Sequence, residues 1–289
     1  MKPSTSEFVE LRSLRIHVRT WGPADAPQLF MLHGWMDASA SFQFIVDALA
    51  RDWRVIAPDW RGFGLSQWKN DSYWFADYVA DLEALLMHYS PDAPARIVGH
   101  SLGGNAACLF AGIRPARIAG LVALEGFGLR KSDPADAPDY YAKWLDQLHA
   151  GPAFKRYADR AALAARFRQM NPRLTPVRAD FLAEHLGQAT ADNAITLAAD
   201  PHHKLSTPIL YRLEDAKACW RRVTAPVLWV AARDSIFVKT FQDEAGQADY
   251  QARIACFRNI RPVMLEEAGH NMHHDQPEQL AQLIEEFFA

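Results

Sequence analysis

Short apolar runs alternate along this chain with amphipathic stretches. From Glu7 to Leu11 and from Arg15 to Arg19 apolar and polar side chains alternate with a period of two, which predicts two half-buried antiparallel strands at a sheet edge. Gln28 to Leu32 is almost continuously apolar, as a strand covered on both faces requires. Ser41 to Trp53 reads as a helix with Phe44, Ile45, Ala48 and Leu49 on one side, and Arg54 to Ala57 as the next strand. Phe75, Tyr78, Val79, Leu82, Leu85 and Leu86 recur at spacings of three and four and mark an amphipathic helix. A strand ending at Gly99, a helix from Leu102 to Ile113 and a strand from Ala119 to Leu124 follow. This repetition predicts an α/β protein with a doubly wound, mostly parallel sheet and helices on both faces.

The rhythm stops after Glu125. Between residues 126 and 213 no buried-strand run occurs; turns marked by Pro134, Pro152, Pro172 and Pro208 separate helical pieces such as Tyr141 to His149 and Ala161 to Met170. The alternation resumes with a strand from Ala225 to Val230, a helix from Gln242 to Ile254, a strand from Pro262 to Leu265 and a closing helix whose Leu280, Leu283, Ile284 and Phe287 share a face. Eight strands are therefore expected from a core of residues 1–125 and 214–289. Residues 126–213 form an inserted helical cap, or lid, between the sixth and seventh of them. A cap over the C-terminal ends of the strands is the simplest placement, because ligand sites in such sheets lie there; a second domain packed elsewhere is the competing one.

Composition narrows the partners. With 49% hydrophobic and 22% charged residues the 289-residue chain is of ordinary soluble type, and a net charge of -3 offers nothing to nucleic acid or to an anionic membrane. The first residues lack an apolar signal core, and no uncharged stretch reaches membrane-spanning length. Cys108, Cys219 and Cys256 are odd in number and far apart, which suits buried thiols in a reducing compartment, so a cytoplasmic location is expected.

The chemistry centres on Gly99-His100-Ser101-Leu102-Gly103-Gly104. This is G-x-S-x-G with a strand before it and a helix after it, a sharp turn that holds a serine hydroxyl clear of the sheet; Gly99 and Gly103 are required where backbone passes too close for a Cβ. A serine alone at such a place is often only a helix cap. A nucleophile additionally needs a base to take its proton and an acid to orient that base. In chain order the acid should follow a late strand and the histidine the last one. Asp234 and His270 fill those slots. Glu125, at the end of the sixth strand, is the alternative acid. Asp243 falls in a predicted helix and reads as solvated, and His273 and His274 lie a helical turn beyond His270, which Gly269 gives freedom to turn inward. The backbone N–H groups of Leu102 and Trp35 are the expected donors to a developing oxyanion. His33 reads as a structural histidine tying loops together. Gly62-Phe63-Gly64 is not a dinucleotide fingerprint, since Gln67 stands where the third glycine belongs. Neither His202-His203 nor His273-His274 has a convincing third ligand, so no metal and no cofactor is expected.

Taken with His33-Gly34-Trp35 and Asp59-Trp60-Arg61-Gly62-Phe63-Gly64-Leu65-Ser66, these motifs resemble the α/β-hydrolase superfamily from about Phe8 to Phe288, the cap apart. Met31 to Asp37 and Tyr211 to Ala216 are similar to its branch of serine hydrolase-like proteins. The resemblance implies a Ser101–His270–Asp234 triad with an oxyanion hole at Trp35 and Leu102. Ala231 replaces a glycine common in the family, and the His33-Gly34 loop lacks the glycine run of many lipases. Ser101 excludes the dehalogenases and epoxide hydrolases of this fold, whose nucleophile is an aspartate. Met36, Trp60, Phe63 and Trp144, with Tyr140 and Tyr141, are candidates for an apolar pocket suited to a small or medium hydrophobic ester, although such side chains are as often plain core. The same triad would serve a thioester, lactone, amide or C–C bond, perhydrolysis or acyl transfer, and a ligand-binding signalling protein with little turnover is the reading from another class.

Overall fold

A computed structural model describes residues 1–289. Ten strands form: β1 Ser4–Leu11, β2 Leu14–Trp21, β3 Gln28–Leu32, β4 Arg54–Pro58, β5 Ala95–His100, β6 Ile118–Leu124, β7 Gly187–Ala189, β8 Ile195–Leu197, β9 Val227–Ala232 and β10 Ile260–Leu265. Eight of them make one sheet in the order β1-β2-β4-β3-β5-β6-β9-β10. The β1/β2 and β2/β4 pairings are antiparallel and every other pairing is parallel. This is an α/β-hydrolase fold. Strands β3 to β6 and β9 are buried almost throughout, which is why they read as continuous apolar runs.

Chain order along the sheet reverses between β3 and β5. Chain leaving β3 turns toward β4 and chain leaving β5 turns the other way, so the loops after these two strands part and open a crevice at their C-terminal ends. Two apolar clusters flank the sheet. Phe30, Ile97, Phe110, Phe127 and Trp229 belong to one, and Met31, Phe42, Ile45, Val230 and Leu280 to the other. The closing helix Pro277–Phe287 buries Leu280 and Ile284 as its apolar face requires. The helix expected from Ser41 is shorter: a 3-10 turn, Ser39–Phe42, leads into Gln43–Ala48. Asp243 is outside the helix it was expected to occupy, capping Glu244–Ile254 by accepting from the Gly246 amide. No helix is long and apolar enough to cross a membrane.

Residues 126–213 add nothing to the large sheet. They comprise the helices Ala137–Ala150, Arg160–Met170 and Pro176–Leu186 and the small β7/β8 hairpin, whose three-residue strands are too short to show in the apolar pattern. Leu163, Leu174, Leu182 and Leu186 form a third cluster that takes in Ala38 and Phe44 from the chain after β3. Phe63 and Ala199 pair as an isolated bridge, and the Gly64 amide donates to the Ala198 carbonyl at 2.7 Å. Arg178 donates to the His274 carbonyl at 2.8 Å. The segment is thus seated on loops that leave the C-terminal ends of β3, β4 and β10. A cavity of about 230 Å³ lies at this seam, lined by Arg19, Ser39, Asp59, Leu65, Arg160 and His185 among others; Ser101 and His270 are not in it.

The helix Leu102–Ile113 lies against Leu213–Trp220 through Gly112, where a Cβ would come 2.0 Å from the Cys219 carbonyl oxygen. Gly112→Ala must push two helices apart and should destabilise the protein by about 2 kcal/mol. An unchanged urea midpoint in that variant would show that the contact is soft.

Candidate active site

Four glycines make the turn at Ser101 possible. A Cβ on Gly99 would lie 2.7 Å from the Gly103 carbonyl oxygen, on Gly103 2.2 Å from that of Leu32, and on Gly104 2.8 Å from the Gly126 Cα; one on Gly126 would in turn meet Gly104 at 2.5 Å. The helix starting at Leu102 can therefore sit hard against the ends of β3, β5 and β6. Ser101 takes φ 50° and ψ -111°, strain of order 1–3 kcal/mol that the packed surroundings sustain. Its amide donates to the Leu124 carbonyl at 2.8 Å.

His270 follows β10, and its Nε2 lies 3.1 Å from Ser101 Oγ. Its Nδ1 is 2.5 Å from Glu125 Oε2. Since a carboxylate only accepts, Nδ1 carries the proton and Nε2 is free to accept from the serine. Glu125 is itself fixed. It sits at φ 53° directly after β6, is 2% exposed, accepts from the Ala232 amide at 3.1 Å and accepts from the Ser235 hydroxyl at 2.6 Å.

Asp234 is elsewhere. It is exposed on the loop after β9 and ion-paired with Arg173 of the inserted segment at 2.5 Å, with no bond to His270. The neighbouring Ser235, buried, points inward to Glu125 in its place. The structure thus brings Ser101, His270 and the alternative acid together and leaves Asp234 outside. Sequence order allowed both acids; side-chain direction at 234 and 235 separates them, and no periodicity reports it. Gly269 also acts differently from expectation. Its φ is not positive and a Cβ there would meet nothing closer than 3.6 Å, so the loop does not depend on glycine freedom at that position.

Leu102 opens its helix, where amides have no intrahelical acceptor. The loop after β3 passes beside Ser101, with a Gly34 Cβ position 3.3 Å from Ser101 Cβ, and continues into Trp35. The Trp35 ring is 53% exposed and its Nε1–H donates to the His203 carbonyl of the inserted segment at 3.2 Å. His33 is fully buried and accepts from the Trp60 amide at 2.8 Å, while the Trp60 indole donates to the His33 carbonyl. It ties two loops, as the sequence reading holds.

The aromatic candidates divide. Trp60 and Phe63, 2% and 0% exposed, are core: Trp60 meets Tyr78 edge-on and Phe63 stacks on His203. Neither reaches an open surface: Phe63 lies against the inserted segment at Ala199 and His203, and Trp60 is held between His33 and Tyr78. Met36 is half-buried at φ 58°, and Trp144 is half-buried with its indole 3.4 Å from the Ser72 hydroxyl. Tyr140 and Tyr141 are exposed on Ala137–Ala150, a helix that buries none of its residues.

The family model described as alpha/beta hydrolase fold matches residues 27–277. The chain belongs to that family. It is 29% identical over 298 residues to a serine hydrolase-like protein of Danio rerio, covering 99% of this chain and 89% of the relative, and 23% identical to one of Dictyostelium discoideum, covering 94% and 78%. Among solved structures, a thioesterase domain from the curacin biosynthetic pathway superimposes with a TM-score of 0.86 at 25% identity, covering 98% of this chain and 99% of that one. An esterase of Mycobacterium tuberculosis superimposes at 0.72 and 20% identity, covering 100% and 92%, a likeness of fold.

Several imidazoles near this site are held uncharged. Burial, and then the neighbouring His270, keeps His273 down at about 3, and burial likewise holds His100 and His274 well below the ordinary histidine range. Unfolded, each takes a proton near 6.5. Below that pH the unfolded chain binds more protons than the folded one, so stability is complete above about pH 6.5 and drains away as pH falls toward 3. The urea midpoint should decline steadily between about pH 7 and about pH 4.5; a flat profile would contradict burial of neutral imidazoles.

Proposed function

We infer that this α/β-hydrolase is a serine hydrolase acting on small to medium hydrophobic carboxylic esters through an acyl-enzyme, with Ser101 as nucleophile, His270 as base and Glu125 as the acid. The chain of contacts from Glu125 through His270 to Ser101, at 2.5 and 3.1 Å, carries this reading. Ser101 Oγ attacks the acyl carbonyl as its proton passes to His270 Nε2. The Trp35 and Leu102 amides stabilise the oxyanion, and Glu125 holds the resulting imidazolium. His270 then protonates the departing alcohol, and water repeats the sequence to release the acid. The apolar side chains of Trp35 and Met36, on the loop beside Ser101, suit an uncharged acyl group. Residues 126–213 act as a lid over the crevice, so monomeric substrates enter more readily than emulsified ones. The substrate is a small molecule, met in the cytoplasm, with neither nucleic acid nor membrane as partner.

A thioester is the second reading, favoured by the superposition on the curacin thioesterase domain. Its leaving group is better than an alkoxide, so the same machinery suffices.

Wild type should hydrolyse p-nitrophenyl esters in a series from acetate to palmitate, with the optimum toward the short or middle members, and Ser101→Ala should lose several orders of magnitude in kcat. Substantial activity in Ser101→Ala would remove the mechanism. The acids separate cleanly: Glu125→Gln should cost about a thousandfold or more in kcat, and Asp234→Asn less than about tenfold. The reverse ranking would return the acid's role to Asp234.

A further inference from the structure

We propose that Asp37, His100 and His273 form a binding site for a transition-metal dication of the zinc and copper class, and that its occupation slows turnover at Ser101. One donor atom from each residue lies within 4.8 Å of the other two. The residues are 8%, 2% and 0% exposed and come from three places: the loop after β3, the end of β5 and the short helix Met272–Asp275.

His100 is arranged as a ligand. Its Nε2 lies 2.8 Å from the His270 carbonyl oxygen, which can only accept, so Nε2 carries the proton and Nδ1 presents a lone pair. That Nδ1 is buried and has no hydrogen-bond partner. An imidazole oriented by donation to a carbonyl, with its other nitrogen free, is the usual form of a metal-binding histidine. Asp37 is oriented as well: Oδ1 accepts from the Ala38 amide at 2.9 Å, and Oδ2 accepts from the Ser41 hydroxyl at 2.8 Å. His273 Nε2 is 3.3 Å from Asp37 Oδ2 and 3.5 Å from Ser41 Oγ. It becomes a donor to metal when its proton moves to Nδ1, which has no competing partner.

The spacing fits. Ligands about 2 Å from a tetrahedral ion sit about 3.3 Å apart, the separation the Asp37–His273 pair already has. The widest allowed gap, 4.8 Å, needs to close by about 1.5 Å. Two imidazoles and one carboxylate select zinc or copper and discriminate against magnesium and calcium, which take shells of oxygen.

The link to turnover is covalent and short. His100 precedes Ser101 in the chain, and its Nδ1 lies 2.8 Å from the Cβ position of Gly34, beside the loop that carries the Trp35 amide. Drawing the ring toward an ion pulls its Nε2 from the His270 carbonyl, and so shifts His270 against the serine. Displacements of about 1 Å at a reacting centre cost up to a hundredfold in rate.

Binding of Zn²⁺, with Mg²⁺ as the control, is measured by calorimetry and by the shift in Tm on wild type, His273→Phe, the isosteric Asp37→Asn, Ser101→Ala and Cys219→Ser, each checked for folding by circular dichroism. Wild type, Ser101→Ala and Cys219→Ser are expected to bind a single Zn²⁺ and gain Tm, while His273→Phe and Asp37→Asn bind at least about tenfold more weakly. Saturating Zn²⁺ should lower wild-type ester hydrolysis about tenfold or more, reversibly with a chelator, and leave His273→Phe unaffected. Binding undiminished in both His273→Phe and Asp37→Asn, lost in Ser101→Ala or Cys219→Ser, or absent from wild type overturns the site. Binding without inhibition overturns its link to turnover. Calorimetry needs no substrate, so failure of the site is distinct from failure of the esterase reading.

Discussion

Close approach of backbone to backbone at the ends of β3, β5 and β6 is the constraint on which the rest of the site depends. Gly99, Gly103, Gly104 and Gly126 lack side chains where any Cβ would collide with main chain, and several of these contacts would be shorter than 3 Å. Their packing fixes where the helix begins, and the helix start fixes Ser101 in a conformation that a free serine avoids. Once the serine is so placed, the loops after β3, β6 and β10 have only short distances to cover, because parallel strands deliver them to the same edge.

Glu125 is the clearest case of position set by packing. As the residue before Gly126 it inherits the tight contact with Gly104, and at φ 53° it turns its carboxylate beneath His270. The Ala232 amide and the Ser235 hydroxyl complete its shell from the neighbouring strand and loop. A carboxylate buried to this degree is tolerable only because each oxygen has a donor. The loop after β9 thus contributes a hydroxyl that supports Glu125, and its own aspartate faces outward to Arg173.

Much of the fold is legible in the sequence because burial on both faces leaves long apolar runs, and because strand, glycine turn and helix around Ser101 must follow one another in that order. The antiparallel pair at the edge shows in the alternation from Glu7 to Arg19. Other features leave no such trace. Strands of three residues in the inserted segment are shorter than any period. Whether Trp60 lines a pocket or fills the core depends on what is laid over it. Asp234 and Ser235 are neighbours in sequence and differ only in which one points inward. Asp37, His100 and His273 are far apart in the chain, and only the meeting of the loop after β3, the end of β5 and the helix Met272–Asp275 makes them neighbours.

The indole of Trp35 donates to the carbonyl of His203. One end of that bond belongs to the loop that passes beside Ser101, the other to the inserted segment seated on the loops after β3, β4 and β10. The two are therefore tied to one another, and a load on either is carried to the other. A movement of the chain at His203 is therefore passed, through a single side chain, to the backbone beside Ser101.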